Sequence, residues 1–180
     1  MELLRRMRDG SRRVSEYQAE HIVCDPELCT GCRLCEFACV LAKEGRFDLA
    51  VSRIHVARPE PTLSAAVACQ LCADAPCVAV CPRKALVRDD DRSPIRVIAN
   101  LCTGCGWCVE VCDYGAISLD RTSKCVVICD LCLDRETPAC VATCPKRALS
   151  KASGPMLQSH DTPGATQLAP GRDPEHVGRG

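Results

Sequence analysis

Sixteen of the eighteen cysteines in this 180-residue chain fall into four short groups, and no other feature limits its fold so tightly. Cys29, Cys32, Cys35 and Cys39 run CxxCxxCxxxC, and Cys102, Cys105, Cys108 and Cys112 repeat that spacing. Cys69, Cys72, Cys77 and Cys81 run CxxCxxxxCxxxC, while Cys129, Cys132, Cys140 and Cys144 set a CxxC pair seven residues ahead of a CxxxC pair. Both stretched groups end in Cys-Pro, at Pro82 and Pro145. In such a run the first three cysteines wrap one corner of a cubane [4Fe–4S] cluster, and the fourth points away to a neighbouring cluster. The spacing therefore predicts four [4Fe–4S] clusters, in pairs, with all sixteen cysteines as ligands.

Other cysteine chemistries fit poorly. A disulfide needs Cα atoms roughly 5.5 Å apart with converging side chains, which cysteines two or three residues apart in one loop mostly cannot supply. Zinc sites usually present two separated cysteine pairs, often completed by histidine, whereas His21, His55, His160 and His176 all lie outside the groups. Ser11-Arg12-Arg13-Val14 hints at a twin-arginine export signal, but the polar run Ser15 to His21 follows where an apolar region should stand. With no signal and no apolar stretch near 18 residues, the expected compartment is a reducing cytoplasm, without a membrane span.

The hydrophobic fraction of 47% flatters the chain, because cysteine supplies 18 of its 180 positions and only two Phe, two Tyr and one Trp are present. A core this thin is marginal without staples. Metal–thiolate bonds are expected to supply much of the folding free energy, leaving the apo chain largely unfolded. The formal charge of zero counts cysteine as neutral; four oxidised clusters with thiolate ligands would add about −8. Arg83 and Lys84, and Lys146 and Arg147, follow the two Cys-Pro steps where they could offset that charge, or stand merely as solvated charges at a turn. Balanced charge, few aromatics and the lack of a basic stripe argue against nucleic acid as a partner.

Short apolar runs precede and follow the groups. His21 to Leu28, Ile95 to Leu101 and Cys125 to Ile128 lead in, and Ala85 to Val87, Ala116 to Leu119 and Ala148-Leu149 return. Leu119 to Lys124 reads as a hairpin turn, and Leu34 to Glu44 as the longest helix, stopped by Gly45. The fold class is α+β, with short hairpins and short helices around the clusters, twice over. Residues 46–68 read as an insertion with one strand, Arg53 to Val56, followed by a Pro59-Glu60-Pro61 linker; His55 is an ordinary strand residue there. Glu2 to Arg13 alternates Leu3, Leu4 and Met7 with arginines, which suits a short amphipathic helix. Lys151 to Gly180 holds five Gly and four Pro in thirty residues and cannot order itself. Both termini are expected to dock, on a partner or on a second copy of the chain.

The stretch Cys29-Thr30-Gly31-Cys32-Arg33-Leu34-Cys35, then Ser52-Arg53-Ile54, Cys69-Gln70-Leu71-Cys72 with Ala75-Pro76-Cys77, and Pro138-Ala139-Cys140 resembles the four-cluster ferredoxin subunits of bacterial oxidoreductase complexes. The likeness covers roughly residues 22–150. It implies two pseudo-symmetric dicluster ferredoxin-like modules, interleaved: residues 22–58 plus 120–150 outside, 59–119 inside, a docking segment at 1–21 and a tail at 151–180. It also implies crossed ligand sets. One cluster takes Cys29, Cys32, Cys35 and Cys144; its neighbour takes Cys129, Cys132, Cys140 and Cys39. The inner pair takes Cys69, Cys72, Cys77 and Cys112, and Cys102, Cys105, Cys108 and Cys81.

Two features depart from the pattern. Asp113 follows Cys112 where many ferredoxins place proline, and a carboxylate there lowers the cluster's potential unless solvent screens it. Cys24 and Cys125 are surplus to the sixteen. Cys24 is most simply a small buried strand residue, whereas Cys125, Cys129 and Cys132 run CxxxCxxC and leave open a replacement of one ligand in the fourth group.

With full thiolate sets and neither a nucleophile–base pair nor a Gly-rich phosphate loop, the expected role is electron transfer without catalysis. The resemblance implies a catalytic partner, a tungsten- or molybdenum-pterin aldehyde oxidoreductase, with a flavin/NAD subunit as second redox partner. Its alternatives are a carbon monoxide dehydrogenase, hydrogenase or formate dehydrogenase system, or a freely diffusing polyferredoxin.

Overall fold

The computed structural model describes residues 18–90 and 92–155. The amphipathic N-terminal stretch, the twin-arginine-like motif, His160, His176 and the tail beyond Pro155 lie outside the described residues. The elements are short. In order they are β1 (Gln18–Cys24), α1 (Leu34–Glu44), a 3₁₀ turn (Leu49–Val51), β2 (Ile54–Glu60), β3 (Leu63–Ala68), α2 (Pro76–Ala79), β4 (Leu86–Val87), β5 (Arg96–Val97), α3 (Trp107–Glu110), β6 (Ile117–Asp120), β7 (Cys125–Ile128), α4 (Ala139–Thr143) and β8 (Leu149–Pro155).

The strands pair two by two, always antiparallel: β1 with β8, β2 with β3, β4 with β5 and β6 with β7. Three of these pairs are local. The fourth joins the two ends of the described chain, with Gln18 opposite Pro155 and Cys24 opposite Leu149. Helices pair in the same nested way, α1 packing on α4 and α2 on α3. Everything between residues 69 and 112 is thus enclosed, in sequence, by elements that pair around it.

Residues 46–68 differ from the expected insertion with one strand and a linker. They form a hairpin, β2–β3, whose register shifts between Ala57 and Glu60. Pro59 sits inside that shift, where the ladder lapses and its missing N–H costs nothing. Leu63-Ser64-Ala65-Ala66-Val67-Ala68 is alanine-rich and carries little β propensity of its own; packing of β3 on β1 holds it as a strand. The expected module boundary at 58/59 falls inside this hairpin, that at 21/22 inside β1 and the tail boundary at 150/151 inside β8.

α1 forms because Leu, Glu, Ala and Lys are strong helix formers. It stops at Gly45, whose φ of 63° lets its N–H return to the Leu41 carbonyl. Cys35, Glu36, Cys39 and Val40 make its buried face, while Leu34, Phe37 and Leu41 are exposed on the other. The core it faces is a core of thiols. Cysteine supplies eight of the buried positions (Cys35, Cys39, Cys69, Cys77, Cys108, Cys129, Cys132 and Cys140), and Tyr114 is the one aromatic among them. No helix among the described residues is long and apolar enough to cross a membrane.

Candidate metal centres

All four cysteine groups share one backbone solution. The residue just before the second cysteine has positive φ in every group: Gly31 (67°), Leu71 (51°), Gly104 (66°) and Leu131 (58°). A left-handed residue there curls the loop so that successive cysteines face one centre. Glycine adopts it freely. Leucine does so at a cost of about 1–2 kcal/mol, which burial of Leu71 and Leu131, at 0% and 5% exposure, offsets. The third cysteine then rides one of the helices: Cys35 on α1, Cys77 on α2, Cys108 on α3 and Cys140 on α4. Positive φ recurs three residues after the fourth cysteine at Lys84, Gly115 and Arg147. In two of these turns the next N–H points back at the cysteine, Ala85 to Cys81 Sγ at 3.3 Å and Ala116 to Cys112 Sγ at 3.4 Å.

These loops meet across the chain. One cavity is lined by Cys29, Cys32 and Cys35 together with Cys144, a second by Cys69, Cys72 and Cys77 with Cys112, and a third by Cys102, Cys105 and Cys108 with Cys81. The three are similar in size and open to solvent, and each has four cysteines in its wall. Cys39, Cys129, Cys132 and Cys140 form a fourth set, in which Cys129 and Cys140 each feel the charges of Cys39 and Cys132.

No group of three or more His, Cys, Asp or Glu side chains among the described residues closes round a single metal ion. Four thiolates on one zinc would sit about 3.8 Å apart, given Zn–S of about 2.3 Å. A four-iron cube carries each thiolate on a different iron and spreads them wider, which suits these open sets.

Burial dominates the electrostatics. It pushes the thiols of Cys35, Cys77, Cys129 and Cys140 up to about 12 and those of Cys72 and Cys108 up to about 11, and it raises Cys39 and Cys69 as well. Neighbouring cysteines add to the effect, since crowded thiolates repel. Cys81 is the exception: burial lifts it, but backbone N–H groups of Ala85, Arg83, Leu86 and Lys84 together outweigh burial and bring it below its ordinary value. Bound iron would invert this logic, holding every ligand as thiolate and releasing its proton.

Cross-set contacts give the order of the sets. Cys140 is close enough to Cys35, Cys69 to Cys129 and Cys77 to Cys108 for each pair to disfavour joint ionisation. The sets therefore lie in the order Cys29-, Cys39-, Cys69-, Cys102-containing. Of the eighteen cysteines only Cys32 and Cys105 are exposed, one in each terminal set.

Charges flank the cavities unevenly. Lys146 and Arg33 line the first, Arg83 the third, and Asp113 lines the one containing Cys112. The surplus cysteines lie against the terminal sets. Half-buried Cys24 takes the Ala66 N–H at 3.2 Å and neighbours Cys29. Cys125, on β7, neighbours Cys102 of the third group.

The sequence reading assigned no role to three polar residues. Glu36, 2% exposed, accepts the Val56 N–H and the Arg33 Nε, each at 2.6 Å, tying α1 to β2. Lys43 bridges Asp130 and Asp134 in the fourth cysteine loop. Arg53 reaches Asp130 at 3.2 Å and Glu44 at 3.0 Å. An acidic residue inside a cysteine loop, as at Asp130, was the available signal. His55 is a β2 residue whose Nε2 meets Ser118 Oγ at 3.0 Å, joining the hairpin to β6.

Residues 62–153 match the family model of the 4Fe-4S dicluster domain, which takes in the second, third and fourth cysteine groups. The chain belongs to that family. YsaA of Escherichia coli (strain K12) is 38% identical over 149 residues, covering 77% of this chain and 93% of YsaA. Electron transport protein HydN of the same strain is 38% identical over 151 residues, covering 71% of this chain and 85% of HydN. The polyferredoxin-like subunit of the aliphatic sulfonate oxidoreductase of Pyrococcus furiosus is 38% identical over 123 residues, covering 68% of this chain and 70% of that one. This family member is a [4Fe–4S] electron-transfer subunit of the kind that serves oxidoreductase complexes, and it is not itself the catalyst.

Proposed function

We propose that the chain relays single electrons through four [4Fe–4S] clusters between a catalytic subunit and a second redox partner. The observation that carries this reading is the row of four cysteine sets, each assembled from two distant groups, with an exposed cysteine at either end. When bound, [4Fe–4S] clusters exchange one electron at a time and, with thiolate on every iron, leave no open position for substrate. Cys29, Cys32, Cys35 and Cys144 would hold the first cluster and Cys39, Cys129, Cys132 and Cys140 the second. Cys69, Cys72, Cys77 and Cys112 would hold the third, and Cys81, Cys102, Cys105 and Cys108 the last. In the middle sets Cys39, Cys69, Cys77, Cys129, Cys132 and Cys140 are buried and Cys72 and Cys112 half-buried, while each end set carries an exposed cysteine. Leu34, which lines the first cavity with Cys32, and Trp107, two residues after Cys105, are both exposed, which supports an apolar contact at either end.

For the partners, the resemblance of the cysteine loops favours a tungsten- or molybdenum-pterin aldehyde oxidoreductase on one side and a flavin/NAD subunit on the other, in the cytoplasm. The oxidoreductase named for the Pyrococcus relative supports a catalytic partner of oxidoreductase type. The modules of this reading are the outer one, built from both ends of the chain, and the inner one between them, each holding two clusters. Isolation of the native complex, with metal and flavin quantification, tests the reading. The purified chain should carry about sixteen iron and sixteen sulfide. Iron near half that would remove one module, and nickel in the complex would replace the pterin partner with a carbon monoxide dehydrogenase or hydrogenase.

A further inference from the structure

Among the described residues, the one buried side-chain nitrogen or oxygen without a hydrogen-bond partner is Arg53 Nε. A buried orphan donor is uncommon in a native structure and calls for an acceptor. Each of the other two guanidinium nitrogens has a carboxylate partner. Nη1 donates to Asp130 Oδ2 at 3.2 Å and Nη2 to Glu44 Oε1 at 3.0 Å. Asp130 lies between Cys129 and Cys132, and its other oxygen takes the Cys132 N–H at 3.1 Å. Glu44 ends α1, the helix that carries Cys39.

Arg53 also acts on Cys39 directly. Burial raises the Cys39 thiol, and the Arg53 backbone N–H, which donates to it, and the Arg53 charge both oppose that rise. The side chain is thus fixed at the Cys39, Cys129, Cys132 and Cys140 set by two carboxylates and its own backbone, with Nε buried and unpaired. A purely structural tie needs the two Nη contacts and gives no reason to bury Nε unpaired.

We propose that Arg53 Nε donates a hydrogen bond to a sulfur of the cluster held by Cys39, Cys129, Cys132 and Cys140, and thereby raises the reduction potential of that cluster. The proposal rests on the four-cluster reading above. A donor to sulfur stabilises the reduced, more negative form more than the oxidised one, and hydrogen bonding to the sulfurs is among the levers that set cluster potentials. Arg53 is a positioning and tuning residue here and carries no electron itself.

Full-length holoprotein tests this in three ways. Arg53→Gln removes donor and charge, while Arg53→Lys keeps the charge without the Nε donor. Both should lower one of the four midpoint potentials in an EPR-monitored titration. The expected loss is about tenfold in the reduction equilibrium, or 59 mV for a one-electron couple. In wild-type protein grown on arginine carrying 15N in the guanidino group alone, the reduced cluster should show 15N hyperfine coupling. That measurement does not depend on a variant folding.

Wild-type potentials in both variants, or in Arg53→Lys alone, would overturn the hydrogen bond, as would missing 15N coupling. Iron near sixteen with any of those results would refute the Arg53 inference alone. Iron near eight, with the Cys39-held cluster absent, would refute the four-cluster reading and this inference with it.

Discussion

Gly104→Ala tests how tightly the β6–β7 hairpin closes over a cysteine loop. Gly104 lies between Cys102 and Cys105 at φ +66°, and a Cβ there would stand 2.6 Å from the Lys124 carbonyl oxygen. Holding an L-residue in the left-handed region costs about 1–2 kcal/mol. The Cβ would also be 0.8 Å inside the 3.4 Å of ordinary contact, against backbone that cannot swing aside. Such overpacking typically adds about 1–3 kcal/mol. The total, about 2–5 kcal/mol, is a large part of a usual folding stability of about 5–15 kcal/mol.

Two other glycines give internal controls. At Gly31 (φ +67°) the added Cβ meets Ser64 Oγ at 2.7 Å and Arg58 Nε and Nη2 at 2.9 Å, all ends of side chains that can move. Displacing Arg58 forfeits its 2.8 Å hydrogen bond to the Gly31 carbonyl. About 1 kcal/mol for that bond brings Gly31→Ala to about 2–3 kcal/mol. Gly45 (φ +63°) has nothing within 4 Å, so Gly45→Ala costs the conformational penalty of about 1–2 kcal/mol alone. Anaerobic heating of the three holoproteins at one scan rate, followed by cluster absorbance and iron release, should rank them 104, 31, 45 from least to most stable. The midpoint of Gly104→Ala should fall by roughly 10 °C, at about 2–4 °C per kcal/mol for a chain of this size. If Gly104→Ala matches Gly45→Ala, the Lys124 carbonyl does not press on the loop and the reasoning fails.

Cys144→Ala should cost about four iron and disturb the cluster shared with Cys29, Cys32 and Cys35; an EPR change confined to the Cys129, Cys132 and Cys140 cluster would refute the crossing. Asp113→Asn should raise the potential of the cluster held with Cys112, and the shift should shrink in high salt, by up to about 59 mV if the carboxylate disfavours reduction tenfold. Cys24→Ala and Cys125→Ala should each leave the iron content unchanged, because neither completes a set; a loss of about four iron in either would make that cysteine a ligand. His55 is lowered from its ordinary value by burial, so the unfolded state binds the extra proton and stability falls as pH drops below about 6.5 toward the folded value. His55→Gln should flatten acid sensitivity below pH 6.5 in denaturant titrations and leave it unchanged above.

The cysteine groups, the helix from Leu34 to Glu44 and the hairpin turn at Leu119 to Lys124 were legible because spacing, helix formers and a turn cluster each act locally. The β2–β3 hairpin was not, since Pro59 and Pro61 read as breakers and alanines carry no strand signal; only contact with β1 makes Leu63 to Ala68 a strand. Nor could sequence show that Leu71 and Leu131 adopt the backbone of Gly31 and Gly104. A leucine at positive φ is disfavoured locally and is held there by burial, a tertiary effect. Arg53 with Asp130 and Lys43 with Asp134 join residues 77 and 91 positions apart, beyond any local pattern.

The way the cysteine sets draw on the chain also ranks the two modules. In the proposed sets, Cys29 and Cys144 are joined across roughly 115 residues, whereas Cys81 and Cys102 are joined across roughly 21. Loop-closure entropy grows as three-halves RT ln n, so the longer closure constrains the unfolded chain by about 1.5 kcal/mol more. The outer sets also pin β1 to β8 and α1 to α4, and so enclose the inner pair. An inner cluster lost through Cys102 or Cys108 leaves those outer closures standing. An outer cluster lost through Cys29 or Cys144 leaves the Cys39 set alone to close the long loop and releases the closure nearest β1 and β8, so the fold depends most on the ligands that lie farthest apart in its sequence.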